Sequence, residues 1–133
     1  MFLNRLDNNS KEVFLSLAYY ISSVDSSYVQ IQKTLITKYL QEMNIPDTDF
    51  NINQFELVDC IKKVTNKEYQ KVILIELLGI IYNDGVITNI EKELLDTIVD
   101  TWNINSSLVV VYGEWSKSLL SLYVQGEALL ELN

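Results

Sequence analysis

The chain has 133 residues, 48% of them apolar and 11% aromatic, with 4 Gly and 1 Pro. It therefore has the length of one domain with a single core and none of the composition of a linker. Against 10 basic residues stand 18 acidic ones, a formal net charge of −8 that sets the molecule's mean field against a nucleic-acid backbone or an anionic membrane. Histidine is absent, which removes the serine and cysteine triads, histidine general-base chemistry and nearly every zinc or iron site.

Apolar residues recur at helical spacing, and the punctuation between them consists of capping residues, so six main helices are expected. The first runs from about Lys11 to Val24 with Ser10 as N-cap, and its apolar set nearly encircles it, as in a central helix. The second, roughly Val29 to Met43, carries a narrower stripe of Ile31, Leu35, Tyr39 and Met43 and belongs at the surface; Pro46 and the polar stretch from Asp47 to Asn53 end it. Asn53 and Glu56 form a capping-box-like pair before a short third helix, and Thr65 and Glu68 repeat it before a fourth. That fourth helix is apolar from Val72 to Tyr82 except at Glu76 and Gly79, which makes it the second central helix. Thr88 and Glu91 box the start of the fifth, with Leu94, Leu95, Ile98 and Trp102 on its stripe. The last begins at Ser106 or Ser107 and reaches about Leu130, with Tyr112, Trp115, Leu119, Leu122 and Tyr123 as its buried side. Its Val109–Val111 run favours strand locally, and a break near Gly113 or Gly126 is compatible with the pattern.

Apolar runs extend only a handful of residues on either side of Glu76, far short of the roughly 20 that span a bilayer, so no membrane span is expected. Cys60 is the only cysteine and has no internal disulfide partner; it reads as a small core residue. The first residues do not follow a secretory-signal pattern, and a cytoplasmic location follows as the expectation. The densest basic run, Lys62, Lys63, Lys67 and Lys71, reads as a solvated helix face.

Placing Asp25 over Asp84, an offset of 59 residues, superposes Leu15 to Ile45 on Leu74 to Ile104 with 8 identical pairs in 31. More telling than the identities is the order of parts: apolar helix, aspartate loop, amphipathic helix and closing Asn-Ile occur twice. The fold class expected is thus all-α, a compact bundle of six to seven helices with a pseudo-twofold duplication of a helix-loop-helix unit. The units span approximately 11–45 and 70–104 within a single domain, 1–133.

The segment Tyr82-Asn83-Asp84-Gly85-Val86-Ile87-Thr88-Asn89-Ile90-Glu91 resembles the Asp-Gly-x-Ile-Ser/Thr-x-x-Glu signature of the TerB-like family. The resemblance, together with the surrounding repeat, extends over nearly the whole chain. In the first copy Asp25 is kept, but Ser26 and Ser27 replace the glycine step and Gln32 stands where Glu91 stands in the second. The resemblance implies an all-α duplicated bundle serving bacterial stress response and tellurite resistance, without chemical reduction of tellurite. It also implies binding of a divalent cation or assembly with other proteins.

Asp84 and Glu91, with Asp25 in the first copy, are the candidate ligands for calcium, magnesium or zinc, since hard cations prefer carboxylate and carbonyl oxygens. Two carboxylates make a weak site, and the plainer alternative has Asp84 stabilising its loop, Gly85 supplying a positive φ and Glu91 completing the box of Thr88. Glu76, two turns before Asp84 and replaced by Leu17 in the first copy, either reaches solvent at a seam or is paired, a cation being one conceivable partner. The functional expectation is a non-enzymatic stress-response accessory protein that binds a divalent cation weakly, with a metal-free protein-interaction or scaffold module as the alternative. A protein partner is expected, a homo-oligomer is open, and no nucleic acid is expected to bind.

Overall fold

The computed structural model describes residues 1–24, 29–82 and 87–133, with 29–33 described by backbone alone. Among the described residues every regular element is helical. A 3-10 turn at Leu3–Arg5 leads into α1 (Asn8–Val24), α2 (Val29–Met43), α3 (Leu57–Ile61), α4 (Lys67–Ile81), α5 (Asn89–Trp102) and α6 (Ser106–Leu130). The all-α bundle expected from periodicity is what forms.

The two central helices are the two expected. From α1, Phe14, Leu15, Leu17, Ala18 and Ile21 are buried, and from α4, Ile73, Leu74, Leu77, Leu78 and Ile81; together they form the middle of one hydrophobic cluster that runs from Leu3 to Trp102. Each of these Phe, Leu and Ile side chains contributes roughly 1.5–3 kcal/mol on leaving water. Cys60 joins this cluster as a small apolar side chain.

The duplication is written in the helix ends. α1 and α4 start at Asn8 and Lys67, and α2 and α5 end at Met43 and Trp102, each pair separated by the 59 residues of the sequence repeat. Both second helices close in the same Schellman geometry. Ile45 donates its N–H to the Leu40 carbonyl and Asn44 to that of Gln41, as Ile104 does to Val99 and Asn103 to Asp100. The units differ in their neighbours: α1 packs most extensively on α2, whereas α4 packs most extensively on α6.

Three N-caps differ from the sequence expectation. α1 begins earlier than Ser10, because the Asp7 carboxylate accepts the Ser10 N–H at 2.8 Å; hydrogen bonds from Ser10 hold that carboxyl below its ordinary range. Glu56, not Asn53, caps α3 by accepting the Asp59 N–H at 2.6 Å, since Asn51 to Gln54 close a turn of their own. Asn66, not Thr65, caps α4 through the Tyr69 N–H at 3.1 Å, in line with the stronger capping of Asn. The Thr88–Glu91 box forms as expected.

α6 is continuous through Gly113 and Gly126, and its valine run is helical. β-propensity measures fit to a pleated surface, and among the described residues there is no strand for that run to pair with. A Cβ at Gly113 would stand 3.0 Å from the Tyr82 ring, so this glycine permits the close approach of α6 to α4.

The buried side of α6 also departs from expectation. Gly113 and Ser116 are buried and Val109 and Tyr112 pack partly against the core, but Trp115, Leu119, Leu122 and Tyr123 are exposed. Trp115 and Leu119 stand at the edge of the contact with α4, and beyond Leu120 only Gly126 is even half-buried, so the apolar pattern of this 25-residue helix continues past its covered part.

Candidate functional site

Of the four candidate ligand residues, Asp25 and Asp84 lie outside the described residues, as does Gly85. Glu91 is described, and its residue surface is 1% exposed. Its Oε1 accepts the Thr88 N–H at 3.0 Å while its own N–H donates to Thr88 Oγ1 at 3.2 Å, both arms of a capping box. The carboxylate thus sits at the positive end of α5, where the helix dipole favours it.

Glu76 is paired, not solvated. Its side chain is 12% exposed; Oε1 accepts the Phe2 N–H at 2.7 Å and lies 3.2 Å from the Met1 ammonium. From α2, Glu42 completes the clamp, its carboxylate accepting the Met1 ammonium at 2.8 Å and the Leu3 N–H at 2.9 Å. Burial works against the ammonium charge, but hydrogen bonds and attraction from Glu42 and Glu76 outweigh it and hold the group above its ordinary pKa. The same two carboxylates, after burial, push the Tyr39 hydroxyl strongly upward. The polar interruption of the second central helix therefore fastens the first residues of the chain across the α2 and α4 surfaces. Glu76 is not brought to Glu91 by any described contact, and among the described residues no three His, Cys, Asp or Glu side chains gather where a metal ion would need them.

Two lysines have a partner that the sequence reading did not assign: Lys67, placed there on a solvated helix face, and Lys11. Lys11 and Lys67 stand in the first turns of α1 and α4, where a helix dipole disfavours a cation. Each instead reaches the C-terminal end of another helix, Lys11 Nζ donating to the Met43 carbonyl at 2.9 Å and Lys67 Nζ to that of Trp102 at 2.6 Å. A lysine opening a helix was the available signal that its partner lies elsewhere.

The feature without internal work is the outward side of α6. Leu122, Tyr123 and Leu130 are 63%, 67% and 85% exposed, and Trp115, Leu119 and Leu129 share that side of the helix. Between α4 and α6 runs a groove of ≈ 280 Å³ floored by Ile75, Gly79 and Ser116 and rimmed by Trp115, Leu119 and Tyr123. Trp115 leans on Phe2, the ring centroids 5.8 Å apart, and Lys117 lies over the Tyr82 ring at 4.7 Å. The buried Ser116 hydroxyl has no hydrogen-bond partner among the described residues.

A second concavity of ≈ 310 Å³ opens between α1 and the segment before α3, with Glu12, Asn51 and Cys60 on its walls. Burial pushes the Cys60 thiol up, Lys63 only partly opposing, so it is protonated and a poor nucleophile near neutrality. Neither a protein-family model, nor a curated protein, nor a solved structure matches the chain.

Proposed function

We propose that this chain is a non-enzymatic, cytoplasmic protein-interaction module of the TerB-like, stress-response kind, and that it docks through the outward apolar side of α6. One observation carries the reading: large apolar side chains from Trp115 to Leu130 stay exposed on α6, whose packed residues lie no further along than Leu120 apart from the half-buried Gly126. An apolar surface of this extent rimmed by polar residues marks interaction sites. No basic residue follows Lys117, so the helix lacks the cationic face with which amphipathic helices hold anionic lipid.

The test is photo-cross-linking in cells with a benzophenone amino acid at Leu122 or, as control, at the exposed Lys92 on α5. Discrete protein adducts from position 122 and none from 92 are expected. Equal labelling from both positions, or none from either, removes α6 as the docking surface.

A second reading, weak binding of a divalent cation by Asp84, Glu91 and Asp25, is favoured by the nearly complete burial of the Glu91 carboxylate. Calorimetric titration with calcium, magnesium and zinc tests it: heat that disappears with Asp84→Ala supports it, and heat unchanged by that variant rejects it.

A further inference from the structure

We infer that the occupant of the α6 surface is a second copy of this chain, its α6 antiparallel to the first; the inference rests on the docking role proposed for that helix. Beyond Leu120 every residue is exposed except Gly126, which is half-buried, so the end of α6 has little packing to sustain it. Along this side Trp115, Leu119, Leu122, Gly126 and Leu129 follow one another at steps of four and three, the spacing of a two-helix seam. Tyr123 and Leu130 border it.

The area fits a pair. Six large apolar side chains on this side, at on the order of 100 Å² exposed each, match the apolar two thirds of the roughly 800 Å² that each partner contributes to a standard interface. The charge fits as well. On a chain of net charge −8 most faces of two copies repel, whereas Ser118 to Gly126 contains no charged residue. An antiparallel pair sets the two helix dipoles against each other, whereas a parallel pair would align them. In the register that keeps the seam continuous, Leu119 meets Leu129 of the second copy and Leu122 meets Gly126, large against small. A Cβ at Gly126 would touch nothing within 4 Å in the single chain, so its smallness answers no internal demand.

Sedimentation velocity of the purified chain from about 1 to 200 μM tests this, with a species of twice 15.4 kDa expected to grow with concentration. Leu122→Glu, at an exposed position, should leave the bundle folded by circular dichroism, losing at most the helical signal of the end of α6, and the chain monomeric throughout. In a Cys60→Ser background, mixing Leu119→Cys with Leu129→Cys should give a disulfide-linked pair at least tenfold faster than Leu119→Cys alone. A monomer at 200 μM, a dimer indifferent to Leu122→Glu, or faster linkage of Leu119→Cys to itself would overturn the inference. If position 122 cross-links another protein in cells while the purified chain stays monomeric, self-pairing fails and the docking role stands; if both experiments are blank, both fail.

Discussion

Asn44 and Asn103, 59 residues apart, share a φ of 53° and are the two non-glycine residues with positive φ among those described. Each follows the last residue of its helix and lets the next N–H turn back onto the final carbonyls. For other L-residues this left-handed conformation costs about 1–2 kcal/mol, and Asn tolerates it because its short polar side chain can bond locally. Asn44→Ala and Asn103→Ala should each lower stability by about 1 kcal/mol in urea titrations, while the glycine variants should be neutral or slightly stabilising. Alanine variants with wild-type midpoints would show that the turn is not under this constraint.

Glu76 accepts the N–H of Phe2 from 74 residues away, and removing its carboxylate strands that donor. Glu76→Ala should destabilise by about 1–3 kcal/mol, and Glu76→Leu, which restores the residue type of the equivalent position, should not recover the loss because the N–H remains unpaired. The check is equilibrium denaturation; a Leu variant as stable as wild type would mean that the donor finds another acceptor.

The Met1 ammonium carries a pH signature. Its folded pKa is raised above the ordinary 8.0, so its contribution is complete below about pH 8 and is lost as pH rises through the folded value. With the amino group free, the urea midpoint should fall as pH rises above about 8, and the Glu42→Gln/Glu76→Gln double variant should show a shallower fall. Identical slopes would remove the clamp as the cause.

For Glu91 the capping role makes a claim independent of any ion. Thr88→Ala and Glu91→Ala should each cost about 1 kcal/mol of stability in the presence of EDTA. If the Glu91 variant loses stability only when calcium, magnesium or zinc is added back, cation binding and not capping is what that carboxylate serves.

Tyr19 donates its hydroxyl to Asp47 at 2.6 Å and stacks on Phe50 with centroids 5.5 Å apart. Partial burial first, then the Asp47 hydrogen bond and charge, push its pKa up to about 12. Its stabilising effect is therefore complete below the unfolded value near 10 and lost between there and about 12. Ultraviolet titration of tyrosinate should show, besides the still later Tyr39, a late-ionising group that moves earlier in Asp47→Asn; a titration unchanged by that variant would leave burial as the whole cause.

Helix number, the two central helices, the repeat and the Thr88–Glu91 box were legible in the chain because each is local. Apolar period, capping side chain and loop lie within a few turns of one another. The caps of α1, α3 and α4 were displaced by one to three residues, since Asp, Glu and Asn alternatives stood beside those chosen and only backbone geometry selects among them. What the sequence by itself determined is an all-α chain containing a unit made twice. Tertiary structure decided the rest: that Glu76 and Glu42 fasten the start of the chain, that Lys11 and Lys67 close helices other than their own, and that α6 outruns its support and leaves Leu122 and Leu130 in water. A side chain's partner across many residues depends on where distant segments come to rest, and a helix's apolar face is covered only as far as its neighbour extends.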